Sequence, residues 1–162
     1  MKAKDLMIVQ QDFLRPDNTL KEAVNCMITA KRNEERRGVK GLPVLDPAGR
    51  LVGMLSIRDI FRAVYPSYLS MSNLGGFTWD GMVESLAKHA AQEKVADHMS
   101  RDTITVKEMD SLMECVDLFI KHDKEHLPVL NQEGRITGMI YERDIFCAIA
   151  SAMLDNGKDA CK

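Results

Sequence analysis

Shifted along itself by 85 residues, the sequence superimposes Gly41-Leu42-Pro43-Val44-Leu45 on His126-Leu127-Pro128-Val129-Leu130, and Arg58-Asp59-Ile60-Phe61 on Arg143-Asp144-Ile145-Phe146. Gly49-Arg50-Leu51-Val52-Gly53-Met54 falls on Gly134-Arg135-Ile136-Thr137-Gly138-Met139 at the same shift. Upstream the shift becomes 92: Asp5-Leu6-Met7 matches Asp97-His98-Met99, and Thr19-Leu20-Lys21-Glu22 matches Ser111-Leu112-Met113-Glu114. The first copy therefore carries 92 − 85 = 7 extra residues, placed between Met27 and Val39. An internal repeat limits the chain to folds built from two copies of one supersecondary unit.

Each copy reads as strand, helix, strand, strand, helix. Thr19-x-x-Glu22 and Ser111-x-x-Glu114 are capping boxes, in which a hydroxyl and a carboxylate satisfy the orphan amides of a helix start. Leu20, Ala23, Val24 and Met27, and in the second copy Leu112, Cys115, Val116, Phe119 and Ile120, recur at helical spacing and predict one buried face. The β-branched run Thr103 to Val106 predicts a short strand before the second of these helices. Leu-Pro-Val-Leu then pairs as a hairpin, across Asp46 to Gly49 or Asn131 to Gly134, with Leu51 to Leu55 or Ile136 to Tyr141. The closing helix carries Ile57, Ile60, Phe61 and Val64, matched by Ile145, Phe146 and Ile149, and is expected to cover the sheet with one face. A copy of this size is too small to be comfortable alone, so two should pack together in an α+β fold with pseudo-twofold symmetry, each a small sheet with helices on one side.

The 24 acidic and 22 basic side chains leave a formal charge of −2, which disfavours a nucleic-acid binder or a polybasic membrane anchor. No apolar run reaches the roughly 18 residues of a bilayer span, and the start has no signal-peptide stretch, so a cytoplasmic location is expected. The cysteines, Cys26, Cys115, Cys147 and Cys161, lack zinc-ligand spacing; three fall in apolar helical patterns and read as small hydrophobes. Met7, Met27, Met99 and Met113 fall at positions where the helical pattern asks for core.

The doubled Leu-Pro-Val strand, with the Gly-x-x-Ser-x-x-Asp turn from Gly53 to Asp59, resembles the cystathionine β-synthase (CBS) domain, and the chain resembles a tandem CBS pair, or Bateman module. The resemblance divides the chain into a first repeat (residues 1–65), a connector with an amphipathic helix (66–91), a second repeat (92–151) and a polar tail (152–162). It implies a regulatory module without enzymatic activity or obligatory cofactor, which binds an adenosine ligand (AMP, ADP, ATP or S-adenosylmethionine) in clefts between the repeats and forms a homodimer. Because no catalytic or transport domain is attached, the expected role is a stand-alone sensor acting on a separate, unidentified partner protein. The alternative is a ligand-free dimerisation or scaffolding module.

The chemistry of the turn can be read without the family. Gly53 lets the backbone approach a ligand closely, and Ser56 at the helix start is both a cap and a potential phosphate donor. Asp59 can accept both hydroxyls of a ribose. Equally, Ser56 can be no more than an N-cap and Asp59 a carboxylate favoured by the helix dipole. The resemblance adds Thr103 and Ile104 at the adenine edge, and Met54, Leu127 and Val129 as apolar walls. Lys40, His126 and Arg58 would meet phosphate, although each reads equally as an ordinary solvated side chain.

The second copy departs from the pattern. Tyr141 replaces Ser56, Asp144 and Arg143 remain, and the partner strand around Gln11 and Asp12 brings a carboxylate that disfavours polyphosphate. One good site and a second, weaker one are expected. The insert Thr29 to Gly38 reads as a solvated helix extension. In the connector, Ser67 to Trp79 reads as loop, holding Phe77 and Trp79 as anchors, and Asp80 to His89 as an amphipathic helix with Met82, Val83, Leu86 and Ala87 on its apolar face. A homodimer is expected to use Ala23, Met27, Phe61, Val64, Phe119, Phe146 and Ile149.

Overall fold

Hydrophobic periodicity and capping chemistry place the elements, and a computed structural model describes residues 1–9, 12–31, 37–65 and 81–154. In chain order these are α1 (Ala3–Leu6), β1 (Ile8–Val9), α2 (Leu20–Thr29), β2 (Gly41–Leu45), β3 (Leu51–Ser56), α3 (Ile57–Val64), α4 (Met82–Ala90), α5 (Val95–His98), β4 (Val106–Lys107), α6 (Leu112–His122), β5 (His126–Leu130), β6 (Ile136–Tyr141) and α7 (Glu142–Met153). Gln11, most of the insert, the loop holding Phe77 and Trp79, and the tail with Cys161 lie outside the described residues.

The two hairpins are the same object built twice. Leu42 faces Leu55 and Val44 faces Gly53 in β2–β3, while Leu127 faces Ile140 and Val129 faces Gly138 in β5–β6. Both ladders shift register at the same place, between Val44 and Leu45 and between Val129 and Leu130. In the first turn Asp46 accepts the Gly49 N–H at 2.9 Å and, through Oδ1, the Arg50 N–H at 2.8 Å. Gly49 has φ +80°, a left-handed conformation that a Cβ would oppose.

The chain folds as two compact units, and their boundaries do not follow the repeats. One comprises residues 12–103, the other residues 1–11 with 104–162. In the second unit β1 pairs antiparallel with β6, Ile8 opposite Met139, and the sheet order is β1-β6-β5-β4 with β4 parallel to β5. The first unit repeats this pairing through single bridges, Met54 with Ser100 and Leu14 with Val44. Since Ser100 is the copy of Ile8 and Leu14 the copy of Val106, the leading segment of each repeat closes the hairpin of the other.

Each unit has its own core. In residues 12–103, Leu42, Val44 and Leu55 of the hairpin meet Leu20, Ala23 and Met27 of α2, together with Ala90, Val95 and Met99. In the other unit, Leu127, Val129 and Ile140 meet Ala3, Val106, Cys115 and Ile145. The fold class is α+β with small sheets and packed helices.

Several sequence expectations are corrected in detail. The strand expected over Thr103–Val106 is paired only at Val106 and Lys107, where β5 lies beside it. Helix α3 carries two apolar stripes: Ile60, Ala63 and Val64 pack on the core, whereas Ile57 and Phe61, one helical step away, are exposed. Phe146, Ile149 and Ile120 are likewise exposed, Met113 is 74% exposed, and Val83 on α4 faces solvent. Helix α4 starts after Gly81, which has φ +79°, and runs to Ala90. Cys26 and Cys115 are free thiols that burial pushes up, with Asp12 adding to the effect at Cys26 and Asp110 and Glu114 at Cys115. Cys147, expected as a free apolar thiol, is disulfide-bonded.

Candidate functional site

At the β3–α3 junction the chain passes from strand to helix with no intervening residue, and this fixes Ser56 and Asp59 relative to each other. Ser56 is extended, with φ −114° and ψ 168°, as an N-cap must be. Asp59 N–H donates to Ser56 Oγ at 3.3 Å. In return the Ser56 N–H and hydroxyl both donate to Asp59 Oδ2, at 2.8 and 2.9 Å. The other carboxylate oxygen, Oδ1, accepts from Arg62 Nη1 at 2.9 Å. Asp59 is 7% exposed and is the one buried charged residue among those described.

The capping reading of this turn is the one seen in the hydrogen bonds. Ser56 is an N-cap, and Asp59 also supports the helix start, through a capping box as well as by its charge. The carboxylate is paired internally on both oxygens. Lys40 and Arg58 are exposed, and the Lys40 carbonyl accepts the Ile57 N–H at 2.9 Å, anchoring the junction to the start of β2. Met54 is buried, and its N–H and C=O are both bonded to Ser100 at 2.9 Å. Thr103 is half-buried and closes this unit.

The remaining expected residues belong to the other unit. Ile104 is half-buried and packs on its core, as part of which Leu127 and Val129 are fully buried. His126 sits opposite Tyr141 in the β5–β6 ladder, their ring centroids 6.5 Å apart and tilted by 57°. Tyr141 is 8% exposed and occupies the N-cap position of α7, where its N–H donates to Asp144 Oδ2 at 3.3 Å. Asp144 is half-buried and Arg143 exposed.

Sequence reasoning overlooked Arg62 and Glu125. Arg62 is signalled by the i, i+3 spacing Asp59-x-x-Arg62, which puts opposite charges on one helical face. Its counterpart in the second copy is Cys147, and the counterpart of Lys40 is Glu125. Around the first junction stand Lys40, Arg58 and Arg62 with Asp59; around the second stand Glu125, Glu142 and Asp144 with Arg143. The two junctions thus share a backbone and carry opposite charge balance.

Elsewhere, a cavity of about 480 Å³ is lined by Lys4, Lys107, Glu108 and the β5–β6 turn, and contains none of the expected site residues. Among the described residues no group of three His, Cys, Asp or Glu is placed to hold a metal ion, and no helix is long and apolar enough to cross a membrane.

A family model for the CBS domain matches residues 3–66 and 95–151. The chain belongs to the CBS-domain family. Its paired CBS domains are similar to part of inosine-5'-monophosphate dehydrogenase of Methanocaldococcus jannaschii, at 29% identity over 89% of this chain but only 23% of the dehydrogenase. Protein MJ1426 of the same organism is 26% identical, covering 90% of this chain and 92% of its own length. Two solved CBS structures share the fold: a CBS-domain protein of Bacillus anthracis (TM-score 0.68, 23% identity, covering 96% and 94% of the two chains) and CBSX2 of Arabidopsis thaliana, crystallised with AMP (TM-score 0.66, 19% identity, covering 94% and 98%).

Proposed function

We propose that this CBS pair is a regulatory module that binds an adenosine nucleotide of the AMP, ADP or ATP class at the β3–α3 junction and signals its occupancy to a separate partner protein. The observation that carries the reading is Asp59, a buried carboxylate in the first turn of α3, three residues from the N-cap Ser56. A helix N-terminus with Ser56, Lys40 and Arg58 nearby suits an anion, and a carboxylate beside it suits a ribose. The AMP complex of CBSX2 supports the ligand class. The second junction, with Glu125 and Glu142 in place of Lys40 and Ile57, is the weaker candidate for a polyanion.

A second reading, a ligand-free dimerisation module, is favoured by the internal pairing of Asp59 with Ser56 and Arg62. The two readings separate by calorimetry with AMP, ADP, ATP and S-adenosylmethionine. On the sensor reading Asp59→Ala weakens adenosine-nucleotide binding about tenfold or more, since at least one charge-assisted hydrogen bond is lost, and Asp144→Ala changes it little. Equal modest losses overturn the assignment of the first junction, and no binding by the unaltered protein gives the scaffold reading the lead.

The module is further proposed to be a homodimer. Ile57, Phe61 and Tyr65 form one exposed apolar stripe on and just after α3, and Phe146, Ile149 and Met153 form another on α7, each at the spacing of one helix face. Of the residues expected to serve a dimer, Ala23 and Met27 are instead buried in their own core.

A further inference from the structure

The lone pairs of Asp59 are unevenly committed. A carboxylate has about four acceptor positions; Oδ2 takes two donors from Ser56, and Oδ1 takes one from Arg62. The Oδ2 pair closes the helix start, and its loss would uncap α3. The Arg62 bond is of another kind: the guanidinium side chain is 71% exposed, the pair is i, i+3 on a helix surface, and such pairs are weak and screened by salt. One position on Oδ1 remains for a single incoming donor. Two donors require Arg62 to leave.

From this we infer that Arg62 is a specificity-determining residue of the first junction: an internal competitor that a ribose cis-diol must displace from Asp59 Oδ1, and that a ligand offering one hydroxyl need not. The inference rests on the reading of Asp59 as the ribose acceptor. The competitor is particular to the first copy in one respect: the position matching Arg62 in the second copy is Cys147, which cannot supply a cationic donor.

The test uses adenosine and 2′-deoxyadenosine, both uncharged, so that any attraction of Arg62 to phosphate stays out of the result. In calorimetry at low salt, Arg62→Gln should bind adenosine about twofold to fivefold more tightly than the unaltered protein, the range set by an exposed ion pair. Binding of 2′-deoxyadenosine should be unchanged. Arg62→Lys, which keeps a competing cation, should fall back toward the unaltered affinity. Raising the salt from about 20 mM to about 500 mM should tighten adenosine binding to the unaltered protein and leave Arg62→Gln flat. Equal changes for both nucleosides, weaker adenosine binding or no change in Arg62→Gln would overturn the competitor role while leaving the nucleotide site standing. Failure of the unaltered protein and Arg62→Gln to bind adenosine, 2′-deoxyadenosine or AMP would remove the nucleotide reading and the competitor role with it.

Discussion

A β-carbon placed on Gly53 would lie 2.7 Å from the Sδ of Met99 and 2.9 Å from the carbonyl oxygen of Ser100. Gly138 stands in the same relation to Met7, at 2.7 Å from its Sδ, and to the Ile8 carbonyl at 2.8 Å. In both units a glycine in the hairpin is the seat for the leading segment borrowed from the other repeat. The thioether of a methionine can move aside, but the carbonyls belong to the Ser100–Met54 bridge and the β1–β6 ladder and cannot. Gly53→Ala and Gly138→Ala should each cost about 1–3 kcal/mol, the range for overpacking a filled site. Urea unfolding measures this; a change under about 0.5 kcal/mol, the level of an ordinary surface substitution, would show that the leading segment is not held there.

The helix starts predict an acid limb in the stability. Glu22 is held below its ordinary value of 4.5, first by the Thr19 N–H and then by the Asn18 side chain, and Glu114 is lowered likewise by the Ser111 N–H. Asp46, in the first hairpin turn, is lowered from 3.8 chiefly by the Arg50 N–H. A carboxylate lowered on folding is protonated first in the unfolded chain, so its contribution is complete above the ordinary value and lost as pH falls through the folded one. The urea midpoint should therefore hold steady from neutral pH to about pH 5 and then fall. The pair Glu22→Gln and Glu114→Gln should flatten that fall, and an unchanged slope in the double variant would place the acid sensitivity elsewhere.

Tyr141→Ser would rebuild the Ser56 arrangement at the second junction. A capping hydroxyl contributes about 1 kcal/mol, whereas emptying the site of a buried ring costs about 3–5 kcal/mol. The variant should thus be destabilised by about 2 kcal/mol or more, despite its better cap. Thermal or urea unfolding decides it, and a neutral or stabilising result would mean that the buried ring contributes little.

The exposed stripes predict self-association. Light scattering at about tens of micromolar should give a mass above the 18.2 kDa of one chain. Phe61→Asp with Phe146→Asp, at side chains 66% and 60% exposed, should shift it toward the single chain without unfolding either core. A monomeric mass for the unaltered protein would overturn the dimer.

The sequence by itself determined the local elements: the repeat located both hairpins, Thr19 and Ser111 located two helix starts, and the glycines and turn residues located the reversals. These are short-range matters, decided by dihedral preference, capping and hydrophobic period within a few residues. It also held, unread, the pairing of Asp59 with Arg62 and the reversal of Lys40 to Glu125. Only the tertiary structure decided which leading segment closes which hairpin, since Ile8 and Ser100 are equivalent in local pattern and either hairpin could seat either one. The same holds for the two stripes of α3: Ile60 and Phe61 are equally apolar neighbours, and the helix face that meets the core half-buries the first and leaves the second exposed.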